Sequence, residues 1–107
     1  YIFLFTKNKQ YYFNADAIKI KDVRRTSIWT FNTASFKEAH FAVFPNELPA
    51  LCIKAGSREG DTVLDPFMGS GTTALVAQEL GRKWIGIELN PKYIEIIKRR
   101  TAQTQLF

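Results

Sequence analysis

The sequence predicts an α/β fold organised around one parallel strand–helix–strand–helix unit, and three observations carry that expectation. The first is Val63-Leu64-Asp65-Pro66-Phe67-Met68-Gly69-Ser70-Gly71-Thr72-Thr73, the end of a buried-type strand that closes on a carboxylate and bends through glycines. A helix-forming run from Ala74 to Leu80 follows and stops at Gly81. The second is Trp84-Ile85-Gly86-Ile87-Glu88, about twenty residues further on, another apolar strand with a carboxylate at its end. The third is Asn90-Pro91, an N-cap and first-position proline for a closing helix from Lys92 to about Thr101. Strands joined through a helix pair in parallel with a right-handed crossover. Two such strands fall short of the about five or more of a doubly wound sheet. The expected fold is therefore a partial, Rossmann-like sheet, incomplete in this chain.

Each remaining element has its own reason. Residues 1–14 are expected to form a β-hairpin: Tyr1 to Thr6 is rich in strand formers, Lys7-Asn8-Lys9-Gln10 is turn-like, and Tyr11-Tyr12-Phe13 is aromatic again. Residues 15–38 read as loop, first charged and then irregular around Trp29, Phe31 and Phe36. Residues 45–56 read as a helix. Pro45 and Pro49 fall near its first turn, where a missing N–H costs little, and Gly56 suits the position after its end. Leu48, Leu51, Cys52 and Ala55 would form its apolar face, which makes Cys52 a core residue rather than a nucleophile. Strands are expected at 62–65 and 83–88, with a helix at 72–80 between them. In the last helix Tyr93, Ile94 and Ile97 should face inward, while Lys98-Arg99-Arg100 oppose the negative end of its dipole.

With 107 residues the chain makes one domain at most, and no apolar run approaches the ~20 residues that cross a bilayer. A single cysteine excludes an internal disulfide and suits a reducing, cytoplasmic setting. The net charge of +5 is uneven. Residues 1–25 hold Lys7, Lys9, Lys19, Lys21, Arg24 and Arg25 against Asp16 and Asp22, whereas the rest is nearly balanced. That charge is either a solubilising surface or a patch facing a polyanion. The only methionine, Met68, lies inside the glycine turn and the chain opens on Tyr1, which suggests a piece of something longer.

A strand that bends through glycines into a helix start offers unpaired N–H groups and partial positive charge to an anionic ligand group. A carboxylate at the end of the next strand, here Glu88, stands at the spacing that reaches the ribose hydroxyls of a nucleotide-like ligand. The turn departs from the dinucleotide fingerprint in having Ala74 after Gly69 and Gly71 as the third position, but the fingerprint tolerates alanine there and the pattern alone leaves NAD open. A Walker A loop does not fit, since Thr72-Thr73 stand where Gly-Lys would be required. A plain connecting turn is the bland alternative, and Glu88 argues against it.

The wider wording narrows the choice. His40-Phe41-Ala42-Val43-Phe44-Pro45, Leu48-Pro49, the Val63–Thr73 stretch and Gly86-Ile87-Glu88-Leu89-Asn90-Pro91-Lys92-Tyr93-Ile94 together resemble the amino-group DNA methyltransferases of restriction–modification systems. The likeness is to the permuted subgroup, whose methyl-donor region lies C-terminal to its catalytic region. It is densest over residues 39–95, and Phe3-Leu4-Phe5-Thr6-Lys7 with Tyr11-Tyr12-Phe13-Asn14 is similar to that family's last hairpin. Between them the family's target-recognition segment would be very short or absent. The resemblance implies an S-adenosylmethionine-dependent methyltransferase sheet and S-adenosylmethionine as cofactor. It gives Glu88 to the ribose hydroxyls and Asp65 to the ammonium of the methionine moiety. Gly69, Ser70 and Gly71 would form the close-approach turn. The Gly71–Thr73 amides and the Thr72 and Thr73 hydroxyls would then take the carboxylate. Phe67 and Leu89 would flank the adenine and Asn90 contact it, with His40, Phe41 and Ala42 from the segment before residue 45 as further contacts. His40 is equally a structural or surface histidine, and one histidine makes no metal site.

The resemblance also implies an acceptor box of Asp or Ser, Pro-Pro and an aromatic that grips the exocyclic amine of a flipped base in double-stranded DNA. Asp65-Pro66-Phe67 has one proline and runs into Gly-Ser-Gly, so it is not that box, and the four prolines include no adjacent pair. No catalytic residue is therefore assigned to this chain. Catalysis is expected from an N-terminal portion or a second chain, and the target is adenine N6, on base rates alone, or cytosine N4. Two rivals remain: an NAD-binding fragment of an oxidoreductase, and a catalytically inactive nucleic-acid-binding remnant.

Overall fold

The computed structural model describes the backbone of residues 1–31, 34–36 and 41–105, and the side chains of residues 1–31 and 44–102. In chain order its elements are a 3-10 turn Ala15–Ile18, β1 Ala34–Phe36, β2 Phe41–Val43, α1 Glu47–Gly56, β3 Thr62–Asp65, α2 Thr72–Glu79, β4 Lys83–Gly86 and α3 Pro91–Gln105. Strands β3 and β4 pair in parallel, with Val63 opposite Trp84, Leu64 opposite Ile85 and Asp65 opposite Gly86. Strands β1 and β2 form a separate antiparallel pair. No described helix is long and apolar enough to cross a membrane.

The βαβα unit follows the expected order, with small shifts at its ends. Strand β4 ends at Gly86 rather than residue 88, although the Ile87 N–H still donates to the Asp65 carbonyl at 3.0 Å. Helix α3 runs past residue 101 to Gln105, and its start is capped as expected: the Lys92 N–H donates to Asn90 Oδ1 at 3.0 Å. Its inward face includes Ile96 as well as Ile97. Parallel pairing puts Val63 and Trp84 on one face of the sheet, toward α2 and the buried Ile53, Val76 and Ala77. Leu64 and Ile85 point the other way and are 61% and 56% exposed.

Helix α1 overturns two expectations. Pro49 sits in its first turn, where its missing N–H breaks no bond. Gly56 belongs to the helix rather than following it, and Ser57 closes the end with its N–H on the Ile53 carbonyl at 3.0 Å. The helix is buried on two sides. Leu51 and Ala55 pack on Ile18 with Trp29 and Phe31, whereas Ile53 packs on α2. A helix steps about 100° per residue, so Cys52 falls on the flank between those sides. It is exposed, not core.

The N-terminal hairpin is absent. Residues 1–6 are extended without a pairing strand, and residues 11–14 are likewise unpaired. Tyr1, Phe3 and Phe5 instead follow one another ring to ring, with centroids 6.3 and 6.2 Å apart, the first pair stacked and the second tilted. An isolated two-stranded hairpin with no third layer over it is marginal, so nothing here holds one together. The segment is tied at its end, where the Asn14 N–H donates to the Ala55 carbonyl at 2.8 Å and Arg58 lies over the Tyr12 ring at 3.9 Å. The expected loop over 15–38 also contains structure: Ile18 is buried, Trp29 and Phe31 meet edge to face, and β1 falls within the range. Ile18, Trp29 and Phe31 are too irregularly spaced to show either period, and only tertiary packing on α1 gathers them.

Candidate functional site

The site is built where the two parallel strands end. Asp65 closes β3, and Glu88 lies two residues beyond β4, so both carboxylates stand at the carboxyl edge of the sheet with the glycine turn between them. Parallel pairing alone puts them at the same edge. The turn is drawn onto β4 by two contacts: the Met68 N–H donates to the Ile87 carbonyl at 2.9 Å, and the Gly69 N–H donates to Glu88 Oε2 at 2.8 Å. Glu88 Oε1 accepts from the Asn90 N–H at 2.9 Å. Each oxygen of Glu88 thus holds one backbone amide and keeps a further lone pair for a ligand hydroxyl. Asp65 Oδ1 accepts from the Phe67 N–H at 2.9 Å, an Asx-type turn that leaves Oδ2 without an acceptor role among the described residues.

Two glycines are demanded by this geometry. Gly71 has φ +89°, and a Cβ there would meet Ile97 Cγ1 at 2.9 Å, so its bareness admits α3 rather than a ligand. Gly86 makes room for Met68, whose Cε would lie 2.5 Å from an added Cβ. Met68 is 3% exposed and pins the turn down on the sheet. Gly69, by contrast, has open space around it, so it is the glycine at which a ligand can approach the backbone.

Beyond Gly71 the first turn of α2 offers its amides. The Leu75 N–H donates to the Gly71 carbonyl, and the Gly71 N–H, expected among the donors to the ligand, is spent on the Met68 carbonyl at 3.1 Å, while the Ser70, Thr72, Thr73 and Ala74 N–H groups have no acceptor among the described residues. Those are the groups that an anion at a helix start uses. The hydroxyls behave differently from the amides. Ser70 and Thr72 are each 3% exposed, and their oxygens accept from Arg100 of α3. Thr73 instead faces a groove of about 370 Å³ that it shares with Asp65, Val63 and Leu64 on one side and Pro49, Cys52 and Ile53 of α1 on the other. In that groove partial desolvation raises the Cys52 pKa above the ordinary 9.0, so the residue stays a thiol at neutral pH.

The structure therefore brings Asp65, Gly69, Thr73, Glu88 and Asn90 together at one edge. Phe67 and Leu89, 88% and 94% exposed, stand bare beside them. Asn90 spends its Oδ1 on the cap of α3. Phe41 and Ala42 begin β2, and His40 lies outside the described residues. Two features were missed in the sequence. The apolar spacing of α1 gives no sign that Cys52 walls the groove, and along the sequence Arg100 shows only as a charge opposing a dipole. A basic residue on the face of α3 that also carries Ile97, one turn further on, was the available signal.

Sequence comparison matches residues 1–99 to a family described as DNA methylase. The type II methyltransferases M.SmaI of Serratia marcescens and M.Cfr9I of Citrobacter freundii are 47% and 45% identical to the chain. Each alignment covers 94% of this chain, but only 37% and 35% of the relative. Among solved structures, TTHA0409 of Thermus thermophilus in complex with S-adenosyl-L-methionine superposes with a TM-score of 0.54 at 44% identity, over 57% of this chain and 26% of its own. The cytosine-N4-specific PvuII DNA methyltransferase gives 0.55 at 43% identity, over 57% and 22%. The chain thus spans little more than a third of the curated relatives.

Proposed function

The chain belongs to the DNA methylase family, the amino-group methyltransferases of restriction–modification type, and we propose that its glycine turn forms the S-adenosylmethionine site of such an enzyme. One observation carries the reading: Asp65 and Glu88 bracket a turn whose following helix start has unpaired amides. The residues suit the cofactor group by group. Glu88, with a lone pair left on each oxygen, takes the ribose hydroxyls, and Asp65 takes the ammonium. The Thr72, Thr73 and Ala74 amides receive the carboxylate, joined by the Thr73 hydroxyl in the groove. Phe67 and Leu89 cover the adenine, and the Asn90 side-chain NH2 contacts it. Phe41 and Ala42 of β2, and His40, are proposed as further cofactor contacts on the family resemblance alone.

Bound there, S-adenosylmethionine supplies an electrophilic methyl group for an exocyclic amine of a base in DNA. This chain's part is to hold and orient. Its backbone donors fix the amino-acid tail, because a helix dipole alone adds only about 0.3–2 kcal/mol. The acceptor box that grips the amine lies outside these 107 residues, so the chain alone transfers no methyl group. The reading leaves adenine N6 and cytosine N4 as targets. No residue here supports the adenine preference, and the PvuII enzyme names cytosine N4.

Calorimetric titration of the complete protein with S-adenosylmethionine and with NAD tests the site, and binding of NAD alone would replace this reading by the oxidoreductase one. Transfer of a labelled methyl group to double-stranded DNA, followed by base analysis, tests the reaction and names the target. Activity of the 107-residue chain by itself would overturn the placement of the acceptor box.

A further inference from the structure

Arg100 reaches from α3 into the glycine turn, thirty residues back in sequence. Its Nη1 donates to the Ser70 carbonyl at 2.9 Å, to Ser70 Oγ at 3.1 Å and to Thr72 Oγ1 at 3.3 Å. Both acceptor residues are 3% exposed, so the acceptor side of these part-buried bonds is screened from water. Ile97, three positions earlier on the same face, is the side chain against which bare Gly71 closes. Gln78 Nε2 of α2 donates to the Thr101 carbonyl at 3.1 Å, which fixes the level at which α3 delivers both contacts. The turn is therefore shaped from behind by α3.

We propose that Arg100 is a positioning residue for the cofactor's amino-acid tail, an inference that rests on the S-adenosylmethionine reading of the turn. It acts in two ways. A guanidinium cannot lose its proton at physiological pH, so Arg100 sets a full positive charge behind the partial charge of the α2 start, where a carboxylate would sit. Its bonds to the Ser70 carbonyl and the two hydroxyl oxygens also fix the peptide planes from Ser70 to Thr72. The free amides are then aimed before the ligand arrives, which lowers the ordering cost of binding.

The test compares two ligands in the complete protein: S-adenosylmethionine, which has the tail, and methylthioadenosine, which shares the nucleoside but has no tail. In R100M, affinity for the first should fall about tenfold or more, as expected for losing bonds from a charged donor, while affinity for the second stays within about twofold. R100K keeps the charge but not the planar fork, and its loss should fall between R100M and the wild type. Equal losses for both ligands, or no loss in either variant, would overturn the role. If R100M does not fold, R100K alone decides by the same two-ligand comparison. A wild-type protein that binds neither ligand would instead sink the cofactor reading itself.

Discussion

Glu88 has two duties, and substitutions separate them. It accepts from the Gly69 and Asn90 amides and, in the proposed function, from the ribose. Glu88→Ala should weaken S-adenosylmethionine binding by more than about 1.5 kcal/mol and also lower stability, since two amides lose a charged acceptor. Glu88→Gln keeps one backbone acceptor, so its affinity should drop with a smaller change in denaturation midpoint. Unchanged affinity in both variants, measured by calorimetry, would place the ribose elsewhere. Cys52 offers a second probe at this scale. Because partial desolvation in the groove raises its pKa, its alkylation rate should rise with pH through a midpoint above the ordinary 9.0, and thiol reactivity at pH 7 should be low. If the cofactor tail lies along Asp65 and Thr73, saturating S-adenosylmethionine should slow that alkylation, read by mass spectrometry. An equal rate with and without ligand would move the tail out of the groove.

Among elements, the contact of α3 with the turn leaves no room for a side chain at Gly71. Gly71→Ala combines a left-handed φ with a Cβ 2.9 Å from Ile97, so urea denaturation should show a loss of about 2–4 kcal/mol. The Ile97→Ala change, which removes Cγ1, should cost less in the Gly71→Ala background than in the wild type, because the new Cβ meets Ile97 Cγ1 as well as its backbone. An equal cost in both backgrounds would mean that the backbone strain dominates. Much of this level was legible. The strand end at Asp65, the helix expected over 72–80 and found over 72–79, and the Asn90 cap follow from short apolar runs bounded by glycine, asparagine and proline. The wrong face on α1 was not legible, since a helix packed on both sides shows no single stripe. The hairpin failed for a related reason: strand propensity in residues 1–14 is real, but propensity does not supply a partner strand or a covering layer.

At the scale of the whole molecule, charge decides what the N-terminal third can do. Lys19 and Arg24 share Asp16, at 3.0 and 4.0 Å, and the Lys19 hydrogen bond lowers the Asp16 pKa, helped by the charge of both cations. These contacts are exposed and salt-screened, so both cations remain available to phosphate. Arg25 is different. Its side chain is 12% exposed and donates to the Ile18 carbonyl at 2.9 Å and to Glu47 at 3.4 Å, tying the 3-10 turn to α1. Neutralising Lys19, Lys21 and Arg24 together should reduce the slope of log affinity for DNA against log salt by about two to three, whereas Arg25→Ala should lower stability instead. An unaltered slope would return the three cations to solubility alone.

By itself the sequence determined the βαβα order, the two carboxylates at its strand ends and the glycine bend between them. Those are written in local spacing, and parallel pairing leaves a strand–helix–strand no other way to arrange its ends. Tertiary structure decided what lies behind and beside the bend. Arg100 buttresses it, Gly71 is bare for Ile97, and Cys52 walls a groove. Such contacts join residues far apart in the chain through side-chain packing, and no periodicity along one segment encodes which face of a distant helix will meet it.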